Sequence, residues 1–184
     1  MEKTTKIVVM RHGEAENNVC DILSSSLDAN YHLTSKGRDQ VFAKASTLVK
    51  SESIDVILAS PITRTYETAG IVAECAGISL SSIQEECRLR EPYFGKVEGK
   101  TYQEYRKAAK GQNDLHSLDV VGGEPSSSMI KRIDELLSEI SSKYRGKTVL
   151  LVTHSFLMCQ MMRLFGKDQK QLPAHADYFI FELS

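Results

Sequence analysis

No pair of cysteines in this sequence is spaced as a metal-binding or redox motif, although four are present: Cys20, Cys75, Cys87 and Cys159. Without a Cys-x-x-Cys pair, neither a structural zinc site nor a dense disulfide framework is expected. The four are read as reduced thiols. Net charge is also nearly missing: 23 Lys+Arg against 24 Asp+Glu leave −1 at pH 7. Such a balance gives no general attraction to nucleic acid or to an anionic membrane, so any anion site must be local. Long apolar runs are lacking too. MEKTTKIVVM holds five apolar residues before Arg11, too few for a signal peptide or a membrane span, and a cytoplasmic location is expected. No internal repeat or linker is visible. The 184 residues fit one domain, 1–184, long enough to bury roughly 70% of its unfolded surface without disulfide staples.

What is present is an alternation of strand and helix signals. Ile7 to Met10, Val56 to Ala59 and Thr148 to Thr153 are short apolar runs of the kind buried on both faces of a parallel sheet. Thr34 is placed to cap a helix from about Ser35, with Val41, Ala45, Leu48 and Val49 at helical spacing. Ser60-Pro61 reads as a hydroxyl cap followed by proline at the first helical position, and Gly77 as that helix's terminator. Met129, Ile133, Leu136, Leu137, Ile140 and Tyr144 form the core stripe of a further helix. Another helix is expected from Ser155, and a terminal strand over 178–183. A loop or irregular segment is expected through Asn17-Asn18 and Ser24 to Ser26, residues 88–100 read as a loop at a site edge, and 19–32 and 92–124 as the specificity loops, the latter a lid. The fold expected is a three-layer α/β/α sandwich with a mainly parallel central sheet.

In such sheets ligands bind outside the carboxyl ends of the strands. Immediately after the three central runs stand Arg11-His12-Gly13, Ser60 to Arg64, and His154. Two arginines and two histidines are thereby delivered to one edge. Guanidinium forks match phosphate oxygens and stay charged at any working pH, and an unprotonated imidazole nitrogen attacks phosphorus. Taken singly, each residue has a plainer explanation. A histidine after a strand is commonly held by a backbone carbonyl, and an arginine in a helix's first turn is commonly solvated. Their joint placement is what argues for chemistry.

The spacing of these segments resembles the histidine phosphatase superfamily, also called phosphoglycerate-mutase-like. The matching segments are Arg11-His12-Gly13-Glu14 with Asn18, Leu33-Thr34-Ser35-Lys36-Gly37 with Gln40, and Ser60-Pro61 through Thr68-Ala69. They continue with Leu89-Arg90-Glu91, Phe94-Gly95, Glu98-Gly99, Gly123-Glu124 and Thr153-His154. Their order holds from residue 6 to about 165. One position departs: Ser155 stands where the family has glycine, and its hydroxyl is expected to join the pocket.

The resemblance implies His12 as the nucleophile that becomes phosphohistidine. Arg11, Arg64, His154, Asn18 and Ser155 would hold the phosphoryl oxygens, and Glu91 would protonate the leaving alcohol. It implies no metal and no cofactor. The partner expected is a small phosphate ester, with neither nucleic acid nor membrane. The stretch from Thr101 to Val121 is short, and it mixes Arg106, Lys107 and Lys110 with Glu104, Asp114 and Asp119. That favours metal-independent hydrolysis of organic phosphate monoesters over the re-docking a mutase needs. The alternatives are a phosphoglycerate-type mutase, a phosphohistidine-protein phosphatase, and a non-catalytic phosphate-binding module. His116 and the tyrosines Tyr93, Tyr102 and Tyr105 are candidates for the pocket wall or for lid packing.

Overall fold

The computed structural model describes residues 4–110, 117–167 and 171–183. Among these residues five strands form one sheet: β1 (Thr5–Arg11), β2 (Val56–Ala59), β3 (Gln84–Glu85), β4 (Thr148–Thr153) and β5 (Tyr178–Leu183), in the order β3-β2-β4-β1-β5. β4 pairs in parallel with both β1 and β2, β3 extends the sheet in parallel beyond β2, and only β5 runs antiparallel. The sheet is therefore mainly parallel, as expected, with the terminal strand at an edge.

Among the described residues six α-helices accompany it: α1 (Glu16–Val19), α2 (Ser35–Ser51), α3 (Thr63–Ala76), α4 (Tyr102–Ala108), α5 (Ser126–Lys143) and α6 (Ser155–Leu164). The alternation of side chains along a strand sorts them into layers. Ile7, Val9, Leu58, Val149 and Leu151 face α5 and α6, where they meet Met129, Ile133, Leu136, Leu157 and Met161. Their neighbours Val8, Met10, Ile57, Leu150 and Val152 face α2 and α3, against Val41, Ala45, Leu48, Ala69 and Val72. Both faces of the central strands are covered, which is why these runs are unbroken apolar segments. A third, smaller cluster of Phe94, Val97, Tyr105, Leu118, Val121 and Phe156 lies under the 92–124 region.

Local details differ from the sequence reading for identifiable reasons. Thr34 caps α2 as expected, its hydroxyl accepting from the Gly37 amide at 2.9 Å. Gly77 ends α3 in the left-handed region at φ 68°. Pro61, however, precedes α3 by two residues, and Ile62 is the cap. The Ser60 hydroxyl is engaged with His154 instead, at 2.9 Å. Asn17 and Asn18 lie in the single-turn α1 rather than in a loop. Tyr144 is one residue beyond the end of α5. β3 is only two residues long and both are exposed, so it carries no hydrophobic signature.

Gly13 and Gly37 fix how α2 sits against the turn after β1. A Cβ on Gly37 would lie 1.9 Å from the Glu14 carbonyl oxygen, and one on Gly13 would lie 2.5 Å from the Gly37 carbonyl oxygen. The two backbones pack directly. Gly13 thus serves the approach of α2.

Candidate active site

β4 lies between β1 and β2, and the ladder continues one residue past both neighbours. The His12 amide donates to the Thr153 carbonyl and the Ser60 amide to the Val152 carbonyl, each at 3.0 Å. This places His12 and Ser60 on either side of His154, at the carboxyl edge of the sheet.

His12 is 2% exposed. Its Nδ1 lies 2.7 Å from the Gly13 carbonyl oxygen. A carbonyl only accepts, so Nδ1 carries the proton and Nε2 carries the lone pair. Burial first, then the charges of Arg64 and Arg11, hold the imidazole well below its ordinary range. The ring is neutral, with Nε2 turned to the site.

Arg64 is fully enclosed at 1% exposure despite lying in the first turn of α3. Nε donates to His12 Nε2 at 3.2 Å, and Nη2 donates to His154 Nδ1 at 3.2 Å and to the Ser24 carbonyl at 2.8 Å. Nη1 is buried with no partner. Burial lowers the guanidinium to about 10, so it remains a cation at neutral pH. A guanidinium only donates, so His154 must accept on Nδ1 and carry its proton on Nε2, which donates to Ser60 Oγ. The two histidines are therefore opposite tautomers, 5.2 Å apart between ring centres. Burial, then Arg64, also holds His154 well below the usual imidazole range.

Arg11 is fastened from the other side. Nη1 donates to the Pro173 carbonyl at 2.5 Å and Nη2 to His175 Nε2 at 3.0 Å, while its Nε is buried without a partner. The two buried guanidiniums thus form a basic cradle beside His12.

Glu91 is the acid of the cluster. Thr153 holds its segment by donating to the Leu89 carbonyl at 2.7 Å, and Arg132 of α5 holds it by donating to the Arg88 carbonyl. The carboxylate accepts from the Phe156 amide, at the start of α6, at 3.2 Å. Burial raises its pKa to about 7, against the opposing pull of Arg64 and Arg11.

These groups open on a cavity of about 210 Å³ whose lining includes Arg11, His12, Asn18, Arg64, Glu91 and Ser155. Asn18 Oδ1 accepts from the Ala15 amide at 2.9 Å, so its amide donors are available to a ligand. Ser155 begins α6 and is 6% exposed. His154 does not line the cavity; it stands behind Arg64 and His12 and reaches the site through them. Tyr102 is on the cavity wall. Tyr105 is core, its hydroxyl donating to the Ser117 carbonyl, and Tyr93 is exposed and lines a neighbouring groove. His116 and Asp114 lie outside the described residues.

Two partners escape the sequence reading. Ser60 reads there as a helix cap, not as the partner of His154. His175 sits just before a terminal strand, with no motif around it. The one available signal is that a chain returning to pair with β1 must pass the residues at the end of β1.

Fold and cavity together define an α/β protein with a buried, neutral histidine beside two guanidiniums at the carboxyl edge of its sheet. The sequence pattern of the histidine phosphatase superfamily (branch 1) matches residues 7–177, and the chain belongs to that superfamily. It is 30% identical to phosphoglycerate mutase-like protein 4 of Arabidopsis thaliana, over 81% of this chain and 66% of that protein. It is 29% identical to phosphoserine phosphatase 1 of Hydrogenobacter thermophilus, over 89% of this chain and 77% of that one. Against a bifunctional protein of Mycobacterium tuberculosis the match spans only 44% of the relative. Among solved structures, a mycobacterial glucosyl-3-phosphoglycerate phosphatase shares the fold, with a TM-score of 0.78, 23% identity, and coverage of 95% of this chain and 90% of that one. Among the described residues, no helix is long and apolar enough to cross a membrane.

Proposed function

We propose that the protein hydrolyses small organic phosphate monoesters without a metal, through a phosphoryl group carried on His12. The observation that carries this reading is the gathering, on one cavity, of a neutral His12 whose proton sits on Nδ1 and the guanidiniums of Arg11 and Arg64, the latter holding Nε2 until substrate replaces it. In the first half-reaction Nε2 attacks phosphorus in line, and the bond to the ester oxygen breaks. Arg11, Arg64 and Asn18 hold the phosphoryl oxygens, and His154 keeps Arg64 in place. Glu91 gives its proton to the departing alcohol. In the second half-reaction the Glu91 carboxylate takes a proton from water as the water oxygen attacks phosphorus, and the nitrogen–phosphorus bond breaks. A carboxyl near pH 7 suits both duties. The two guanidiniums supply the charge stabilisation that a cation gives in other phosphoryl-transfer sites, and a metal ion beside them would be repelled.

Hydrolysis is favoured over mutase action by the wall facing the cradle. Arg106, Lys107 and Lys110 are exposed and do not line the cavity. Apart from Arg11 and Arg64, the described residues offer the cavity no arginine or lysine to hold a second anionic group. The relatives named phosphoserine phosphatase and glucosyl-3-phosphoglycerate phosphatase support the same reading. The test is hydrolysis of p-nitrophenyl phosphate with a chelator present. Turnover is expected from the wild type and its loss is expected in His12→Ala; equal activity in the two would sink the mechanism.

A further inference from the structure

The segment 173–177 is built around Arg11. The Arg11 amide donates to the Asp177 carbonyl at 2.9 Å, and the Ala176 amide donates to the His12 carbonyl at 3.1 Å. Between these bonds the chain turns through Ala176, a buried non-glycine residue at φ 60°. A left-handed alanine costs conformational energy and persists only where its surroundings hold it. The turn presents the Pro173 carbonyl and the His175 ring to the two terminal nitrogens of one guanidinium. His175 also lines the cavity, with its ring centre 6.1 Å from that of His12.

We propose that His175 is a positioning residue, a neutral acceptor that fixes the plane of Arg11 at the cavity wall, where its free terminal donors are set for the phosphoryl group. A guanidinium has no lone pair to offer, so His175 Nε2 is the acceptor in their contact and its proton sits on Nδ1. Burial and then the Arg11 charge push the ring down to about 4, with Glu14 pulling it up and Lys36 adding to the decrease. The acceptor is thus kept unprotonated at neutral pH. Pro173 and His175 each take one hydrogen of Nη1 and Nη2, so each terminal nitrogen keeps a second donor for an anion. An arginine on a β-strand would otherwise sample many rotamers. Holding it at the cavity wall removes that freedom before substrate arrives, which is how a preorganised electrostatic site gains rate.

The proposal rests on the phosphatase reading for its kinetic readout but not for its binding readout. His175→Ala is expected to lower kcat/KM for p-nitrophenyl phosphate about tenfold, the size expected when a hydrogen bond to a charged group is lost. Calorimetric affinity for orthovanadate should fall in parallel. His175→Gln, whose amide oxygen reaches about as far as Nε2, should restore most of both. In an Arg11→Ala background, replacing His175 should have almost no further effect, because the two act as one unit. Should His175→Ala not fold, His175→Leu takes its place in the same cycle. Equal losses with and without Arg11, or a folded Gln variant as impaired as Ala, would overturn the proposal. A wild type that binds vanadate without hydrolysing esters would remove the phosphatase reading, while the affinity cycle still decides the role of His175.

Discussion

At the residue scale, the acid role proposed for Glu91 makes its proton decide which substrates turn over. Burial raises this carboxyl to about 7, so the free enzyme holds the acid form below that pH and loses it above. For alkyl phosphates, whose alkoxide leaves poorly, kcat/KM should decline as pH rises through about 7. Glu91→Gln should cost at least ~100-fold on such esters, within the usual range for general acids. For p-nitrophenyl phosphate, whose leaving group needs little protonation, the loss should be much smaller. Equal losses across leaving groups would contradict the acid role. His12, Arg11, Arg64, Asn18, Glu91 and Ser155 are legible in the sequence because each stands just past a strand end or sits in a motif of fixed spacing, and all line one cavity. The placement of His154 behind Arg64, and the tautomers of both histidines, are not legible. They depend on which acceptors and donors tertiary packing brings to each ring nitrogen.

At the scale of elements, the register of α2 against the His12 turn is set by backbone contact at Gly37. A methyl group there would overlap the Glu14 carbonyl oxygen at 1.9 Å. Alanine gains about 1 kcal/mol of helix propensity over glycine, but overpacking against immovable backbone costs about 1–3 kcal/mol and is the larger effect at so short a distance. Gly37→Ala should therefore lower Tm by several degrees, at about 2–4 °C per kcal/mol for a chain of this size. It should also slow turnover, because the displaced strand-to-helix turn carries His12. A Tm unchanged or raised in thermal unfolding would show that α2 yields freely. The long elements are readable because burial on both faces makes strands continuously apolar and burial on one face gives helices a stripe. α1 and β3, at four and two residues, are too short for any period. Pro61 misleads as a helix-start signal because the Ser60 hydroxyl serves His154 rather than a helix end.

For the whole molecule, the site sets the pH dependence of stability. His12 and His154 are held well below 6.5 and His175 at about 4. Between about 4 and 6.5 the unfolded chain therefore binds more protons than the folded one at these three positions. Their stabilising contribution is present above about 6.5 and is lost as pH falls. Glu91 works in the opposite direction: raised to about 7, it contributes stability below its unfolded value near 4.5 that is lost as pH rises through 7. Three groups oppose one, and Glu67 and Glu86, both held below their ordinary range, reinforce the three as pH drops toward 4. The urea midpoint should thus be lower at pH 5 than at pH 7.5, and an unchanged or higher midpoint at pH 5 would mean that the histidines are not held neutral. The layered sandwich can be inferred from the alternation of elements. The antiparallel return of β5, which carries His175 to Arg11, cannot, since its pairing partner lies at the opposite end of the chain.

The most direct measurement of the central claim is mass analysis of wild-type enzyme mixed with p-nitrophenyl phosphate and quenched in base within a turnover. The account predicts one added phosphoryl group on the peptide containing His12, stable in base, lost in acid, and missing in His12→Ala. Turnover without that adduct, or an adduct on another side chain, would contradict it.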